Sequence, residues 1–154
     1  MSESGFEDDP AALEEAALRL LARREHSAQE LRRKLRQRGF AQCAIERMVG
    51  SLQQRRLLSD QRFAEAYVRA RRDKGFGPLR IRAELRERGV AEELIEAELD
   101  PSDPQWRELL RRVRERRFGS APPGDRREQA RQARFLQQRG FAAGEIRELL
   151  RQEE

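Results

Sequence analysis

Cysteine, histidine and β-branched residues are scarce in this chain of 154 residues. It has one Cys, one His, four Val, four Ile and no Thr. Because β-sheets are enriched in β-branched residues, this scarcity argues against a sheet-based fold. One Cys and one His cannot complete a zinc site, and a lone Cys cannot form an internal disulfide. The composition favours a helical protein with no metal ion and no other cofactor.

Several further signals are absent from the sequence. No run of about 18 apolar residues could span a membrane, and the acidic first residues do not resemble a signal peptide. No phosphate-binding glycine loop is present. His26 precedes a helix start, which favours a solvated or capping role, and Cys43 is interpreted as a small, half-buried apolar residue. We therefore expect a soluble cytoplasmic protein that is not an enzyme.

The charge is unevenly distributed along the chain. The first fifteen residues contain six acids and no base, whereas residues 19–151 contain all 33 basic residues and 20 acidic ones. A body with a net charge of +13 suggests a polyanionic partner such as nucleic acid. All but two of the bases are arginines. Arginine forms a planar fork that suits phosphate, although a GC-rich genome would favour arginine equally well.

A short pattern occurs three times, at residues 35–40, 85–90 and 136–141. Each copy has Leu, two further residues, Arg, Gly and an apolar residue, and an Ile follows five residues later. Gly at such a position ends a helix in the left-handed conformation, and the next apolar residue packs back onto the helix. The pattern predicts structural helix C-caps at Gly39, Gly89 and Gly140. A helix–turn–helix unit therefore recurs about every 50 residues.

Apolar residues at helical spacing predict nine helices. Start signals precede several of them, namely Ser27 with Glu30, Ser59-Asp60, Gly77-Pro78, Asp103-Pro104 and Asp125 with Glu128. The expected fold class is all-α, with three tandem three-helix repeats stacked into an elongated, curved body. The expected boundaries are an acidic flexible tail at 1–10, repeat 1 at 11–58, repeat 2 at 59–101 and repeat 3 at 102–154.

The third repeat departs most from the shared pattern. Gln132 stands where the other repeats have Leu31 and Ile81. A terminal repeat of a stack is often atypical, but divergence for binding a partner would give the same result. Both interpretations stay open.

Basic clusters are the remaining candidates for function. Each alone is typical of a solvated helix face, but several together favour binding of an anion. The candidates for contacts with DNA or another partner are Arg32, Arg33, Lys34, Arg36, Arg69, Arg71, Arg72, Lys74, Arg80 and Arg82. Residues 75–78 join a helix end to a new helix start, where backbone N–H groups favour an anion. There Phe76 is expected to pack in the turn rather than stack on a base.

Residues 58–71 and 77–90 resemble the central repeat of the RecX family of recombination regulators. Residues 18–58 are similar to that family's opening module, including Arg24, Ser27, Glu30, Leu31 and Leu35. The last third shares only the turn at 139–141 and the following helix.

This resemblance implies a bacterial, non-catalytic protein of three three-helix repeats that regulates DNA repair, homologous recombination and the SOS response. Such proteins bind the RecA filament along its groove on single-stranded DNA, block its growth and favour its disassembly. They lower ATP hydrolysis, strand exchange and repressor co-cleavage. They also bind single- and double-stranded DNA without strong sequence preference, and we expect a monomer that does not bind membranes.

Two other functions are compatible with the pattern. An independent helix-turn-helix DNA-binding protein would read bases, but the acids of residues 92–98 would repel a major groove. A protein scaffold would carry its charge incidentally. Salt-dependent binding to a random oligonucleotide would separate the scaffold from the others, and sequence preference would identify the base reader.

Overall fold

The structure is a computed structural model that describes residues 9–152. Within that range the chain forms nine α-helices and no strand, which confirms the all-α prediction. The helices are α1 (Pro10–Arg23), α2 (Ala28–Gln37), α3 (Gln42–Gln54), α4 (Asp60–Asp73), α5 (Pro78–Glu87), α6 (Glu92–Glu98), α7 (Pro104–Phe118), α8 (Arg126–Arg139) and α9 (Ala143–Gln152). The acidic segment 1–8, most of the predicted tail, lies outside the described residues. None of the described helices has the length and hydropathy needed to cross a bilayer.

The chain divides into two compact units. Among the described residues, unit 1 comprises 9–66 and Arg86–Leu94, and unit 2 comprises Tyr67–Leu85 and 95–152. The division passes within α4, α5 and α6, so that each of the middle three helices contributes to both units. The repeat boundaries given above stay predictions.

The core of unit 1 is built from the apolar stripes that the sequence shows. In this unit α1 packs against α2 and α3. Its buried side chains recur every three or four residues along each helix, which places them on one face. They are Leu13, Ala17, Leu20, Ala28, Leu31, Leu35, Ile45, Val49, Leu52 and Leu58.

In unit 2, α7 packs against α8 and α9. The buried side chains of these three helices are Trp106, Leu109, Leu110, Arg114, Gln132, Leu136, Ile146 and Leu150. Six of the eight are apolar and follow helical spacing. The other two, Arg114 and Gln132, are polar and make a specific pair.

The Arg114–Gln132 pair explains the atypical residue of the third repeat. Arg114 is fully buried, and its Nε donates to the Gln132 side-chain oxygen at 3.1 Å. Its Nη2 donates to the carbonyl of Ala121 at 2.6 Å, which fixes the loop between α7 and α8. Burial lowers the pKa of Arg114. Gln132 therefore replaces an apolar residue because it accepts a hydrogen bond from a buried cation.

Helix starts follow the predicted capping signals. Ser27 and Glu30 form a complete capping box at α2. The side chain of Asp103 caps α7 with Pro104 in the first turn, and the side chain of Asp125 accepts from the backbone N–H of Glu128 at α8. These short-range signals satisfy backbone N–H groups that have no partner within the helix.

The three repeated glycines have left-handed backbone conformations. Their φ angles are +93° at Gly39, +78° at Gly89 and +105° at Gly140. In the first turn the Gly39 N–H donates to the carbonyl of Arg36, and the following N–H donates to the carbonyl of Leu35. The third turn has the same two hydrogen bonds. This is the Schellman arrangement, which ends a helix by turning the chain back onto it.

In each unit one of these turns docks on the start of another helix. In unit 2 the Gly77 N–H donates to the carbonyl of Arg139 at 2.8 Å, and the Leu79 N–H donates to that of Gly140 at 3.0 Å. In unit 1 the Ser27 hydroxyl, at the start of α2, donates to the carbonyl of Arg88 at 2.7 Å. The glycine turns therefore both end a helix and supply backbone carbonyls to a neighbouring helix start.

Two residues lie in environments that the sequence did not indicate. His26 is 1% exposed, so of the solvated and capping roles expected for it the solvated one is wrong. Its ring contacts the carbonyl of Arg24, the residue that caps the end of α1. Cys43 is exposed, so the expected half-buried role is also wrong. His26 precedes the α2 cap, where its ring also contacts the ammonium group of Lys34. Cys43 falls on the outer face of α3, opposite the buried Ile45 and Val49.

Candidate nucleic-acid interface

In unit 2, Glu84 is the centre of a network made by residues that carry the family resemblance. Its carboxylate accepts from Arg71 Nε at 2.9 Å and Nη2 at 2.8 Å, and from the Tyr67 hydroxyl at 3.1 Å. Arg80 forms an ion pair with the same carboxylate at 3.5 Å. Burial raises the pKa of Glu84, but the hydrogen bonds from Arg71 and Tyr67 outweigh it and hold the pKa below its usual range. Arg71 is thus engaged inside the protein.

Phe76 lies among three guanidinium groups. Arg71, Arg80 and Arg139 are centred 3.8, 4.4 and 4.7 Å from the centroid of its ring. Cations at these distances are attracted by the negative faces of an aromatic ring. Phe76 therefore packs in its turn, as expected, and its ring is covered by arginines rather than open to a base.

The start of α5 does not offer the anion site that the sequence suggested. The backbone N–H groups of Gly77 and Leu79 donate to carbonyls of the 139–140 turn. Because carbonyl oxygens already occupy the positions that an anion would need, that expectation is wrong. The pairing joins residues more than 60 positions apart, so no local signal could have indicated it.

In unit 1, the residues that carry the family resemblance also form an internal network. Arg24 donates to both oxygens of Glu30 at 3.1–3.2 Å, and the Ser27 N–H donates to the same carboxylate at 3.2 Å. Burial raises the pKa of Glu30, but these hydrogen bonds outweigh it and the pKa is lowered. These residues hold the start of α2 in place.

Lys34, one of the candidate contacts, is engaged with the buried histidine. Its Nζ lies 3.0 Å from His26 Nε2, and His26 Nδ1 lies 3.1 Å from the carbonyl oxygen of Arg24. The carbonyl accepts, so Nδ1 carries the proton and Nε2 accepts from the ammonium group. Burial and the neighbouring positive charges of Arg24 and Lys34 lower the pKa of His26. The lowered pKa and the hydrogen bond accepted by Nε2 both favour the neutral imidazole near pH 7 in the folded protein.

This arrangement predicts a pH dependence of stability. Below pH 6.5 the unfolded chain binds a proton at His26 while the folded protein does not, so the free energy of unfolding decreases as pH falls toward the folded pKa. The slope should not exceed about 1.4 kcal/mol per pH unit. Urea denaturation at several pH values between 7 and 5 would measure it.

His26→Gln is the matched variant, because the amide oxygen of glutamine can still accept a hydrogen bond from Lys34 but does not titrate. His26 is the only histidine, and model carboxyl groups titrate below this range. The variant should therefore lose most of the slope between pH 7 and 5. Parallel stability curves for the two proteins would contradict the neutral, buried imidazole.

Two other candidate arginines form ion pairs between neighbouring helices. Arg32 Nε lies 2.9 Å from Glu46, between α2 and α3, and Arg82 Nη2 lies 3.5 Å from Glu96, between α5 and α6. The two arginines lie 50 residues apart, and so do the two glutamates, which is the spacing of the repeat. This placement favours a role in packing the helices of each repeat.

The remaining candidates face solvent to different degrees. Arg33 and Arg36 of unit 1, and Arg69 and Lys74 of unit 2, are exposed and make no side-chain ion pair within residues 9–152. Arg72 is half-buried and donates to the Gln105 side chain at 3.1 Å. The structure thus separates arginines that pack the protein from those that are available to a partner.

Sequence reasoning missed one residue that belongs with the candidates. Arg139 contacts Phe76, and its Nη1 is 3.4 Å from the carbonyl of Lys74. Its position just before Gly140, at the negative end of the helix dipole, predicts only an interaction with the helix end. Within residues 9–152, no three His, Cys, Asp or Glu side chains gather as metal ligands.

The fold and these surfaces define a small protein of helical repeats with exposed, unpaired arginines. Family models for the first, second and third three-helix domains of RecX match residues 15–52, 59–99 and 103–150. The chain belongs to the RecX family.

Relatives and solved structures agree with this assignment. "Regulatory protein RecX" of Halorhodospira halophila is 48% identical over 147 residues, covering 96% of this chain and 90% of the relative. The protein of the same description from Pseudomonas putida (strain GB-1) is 46% identical over 143 residues, covering 93% of this chain and 92% of the relative. The crystal structure of RecX from Lactobacillus salivarius matches with a TM-score of 0.78 at 23% identity, covering 94% and 96% of the two chains. That structure supports the fold, and the relatives support a regulatory role.

Proposed function

We propose that this protein binds the RecA filament on single-stranded DNA and inhibits its activities, acting in the cytoplasm and without catalysing a reaction itself. One observation supports a polyanionic partner most directly. In a chain of the RecX family, four of the candidate bases (Arg33, Arg36, Arg69 and Lys74) are exposed and have no acidic partner among the described residues. Such side chains can bind phosphate or an acidic surface without first breaking internal contacts.

The alternative of a base-reading helix-turn-helix protein is less well supported. The helix after the second glycine turn, α6, has only seven residues and carries Glu92 and Glu93 in its first turn. Glu92 is paired with Arg86. A reading helix usually presents its N-terminal residues to base edges in the major groove, and acids there would face phosphates. We propose that the protein contacts the backbone of both single-stranded and double-stranded DNA, without strong sequence preference.

The direct test is inhibition of RecA. Adding the wild-type protein to RecA on single-stranded DNA should depress steady-state ATP hydrolysis at well below one molecule per recombinase, because a groove-bound or filament-capping inhibitor affects many protomers. A competitor that only covers DNA must instead approach saturation of the strand. No inhibition at equimolar protein would contradict the proposal.

Charge-reversal variants would locate the surface. Arg33→Glu with Arg36→Glu should raise the concentration for half-inhibition by about tenfold or more, since several charge-assisted contacts are reversed. Arg147→Glu with Arg151→Glu, on exposed α9 positions, is the control with the same change in net charge. Arg80 is unsuitable for this test, because its replacement would also break its interactions with Glu84 and the carbonyl of Gln138.

A further inference from the structure

Unit 2 contains a groove of about 430 Å³ between the end of α4, α7 and α8. No part of the proposed function assigns a ligand to it. Its size is in the range typical of sites for small molecules or single chemical groups of a larger ligand.

Basic side chains dominate the wall of the groove. They are Arg72, Lys74, Arg112, Arg116, Arg117 and Arg139, against two acids, Asp73 and Glu108. Glu108 is paired with Arg111, which is not part of the wall, at 3.2 Å. Arg112 and Arg116 are exposed and have no ion pair among the described residues. They are four residues apart on α7, so both can reach one anion.

The floor of the groove is apolar. It is made by Leu109, Val113 and Phe135. Val113 and Phe135 are half-buried, so part of their surface remains open. The guanidinium groups of Arg117 and Arg139 lie 5.4 Å from the centroid of the Phe135 ring, farther than the three guanidinium groups that cover Phe76. Phe118 packs edge-on against the same ring, with the centroids 5.4 Å apart. An apolar surface bordered by planar cations suits a flat, electron-rich group next to a negative charge.

We propose that this groove holds one unpaired nucleotide of single-stranded nucleic acid. The phosphate binds Arg112 and Arg116, and the base covers Val113 and Phe135. This proposal depends on the proposed function at one point only, namely that the nucleic acid bound is DNA. Acidic side chains alone would satisfy the arginines but have no aromatic ring to cover the floor, and a base within a duplex is already stacked. The groove therefore predicts a preference for single-stranded over double-stranded DNA, a preference that backbone contacts alone do not give.

Binding of a fluorescent 20-nucleotide thymidine strand would test the proposal. The wild-type protein should bind it about tenfold more tightly than an abasic strand of equal length, because the abasic strand has no base to stack on the floor. Arg112→Gln with Arg116→Gln should weaken binding about tenfold and reduce the log–log salt slope by about 0.7 for each phosphate that the variant no longer neutralises. Arg112→Lys with Arg116→Lys keeps the charge without the planar fork, so its affinity for the thymidine strand should lie between those of the wild type and the glutamine variant.

The matched control is Arg147→Gln with Arg151→Gln, which removes two exposed arginines of α9 at the same spacing and should change affinity less than twofold. The proposal is overturned if the groove variant binds like this control, or if wild-type protein binds the abasic strand equally well. Polyglutamate serves as the acidic-peptide probe. The proposal is also overturned if the groove variant binds the thymidine strand normally but no longer binds polyglutamate, because the groove would then be a site for an acidic protein segment.

The RecA assay separates this proposal from the proposed function. If wild-type protein binds the strand through the groove but does not inhibit RecA, the groove stands and the proposed function fails. If wild-type protein inhibits RecA and the groove variant binds DNA normally, the proposed function stands and the groove is excluded.

Discussion

Replacing Gly140 with alanine should lower the free energy of unfolding by about 3 kcal/mol. About 1 kcal/mol arises from the left-handed backbone, which disfavours any Cβ. The rest arises from crowding, since the added Cβ would overlap the Arg80 Cβ and lie 2.8 Å from the Arg80 backbone nitrogen. Overfilling a packed site costs about 1–3 kcal/mol, and here the neighbour is backbone, which cannot move aside cheaply.

Gly39→Ala is the matched control. Gly39 has φ of +93°, but a Cβ built on it would have no atom within 4 Å. It should therefore show only the backbone cost of about 1 kcal/mol. Urea denaturation of both variants would measure the difference. Equal losses of stability would contradict the close approach of Arg80 to the Gly140 backbone.

The local parts of the fold were predictable from sequence. Apolar residues at helical spacing identified the buried faces of α1 and α3, and Ser27, Asp103 and Asp125 indicated helix starts. These predictions succeed because capping and amphipathicity depend on residues within one or two turns of each other.

The contacts between distant residues were not predictable in this way. Arg139 contacts Phe76 across 63 positions of sequence, and the Gly77 N–H finds its acceptor at Arg139. An arginine in a basic run gives no local sign of whether it points to solvent or to an internal glutamate. Arg69 and Arg71 show this, because they are two residues apart on α4, and only Arg71 meets Glu84.

The residues that carry the family resemblance are largely occupied inside the protein. Arg24, Ser27 and Glu30 secure the start of α2, and Tyr67, Arg71 and Glu84 form the network of unit 2. A pattern by which a family is recognised therefore identifies its fold first. The exposed bases Arg33, Arg36, Arg69 and Lys74, which we propose contact the partner, lie outside these two networks.

The second large effect is expected at Gln132, where the repeat pattern and the structure make opposite predictions. Leucine or isoleucine stands there in the other repeats, so Gln132→Leu would be expected to improve the core. In the structure, Gln132 accepts a hydrogen bond from the buried Arg114. Losing a hydrogen bond to a charged group costs about 1.5–3 kcal/mol. The methylenes of Gln132 already fill the site, so the leucine recovers little, and we expect a loss of about 2 kcal/mol.

A double-mutant cycle would attribute that loss to the Arg114–Gln132 pair. In the Arg114→Leu background no buried guanidinium requires the acceptor, so Gln132→Leu should cost little there or increase stability. The coupling energy should be about 1 kcal/mol or more. The double variant should still be less stable than the wild type, because Arg114→Leu also removes the donor to the carbonyl of Ala121. Denaturation midpoints and m-values of the four proteins give the cycle. Additive effects, or a Gln132→Leu single variant more stable than wild type, would show that the third repeat does not depend on this polar pair.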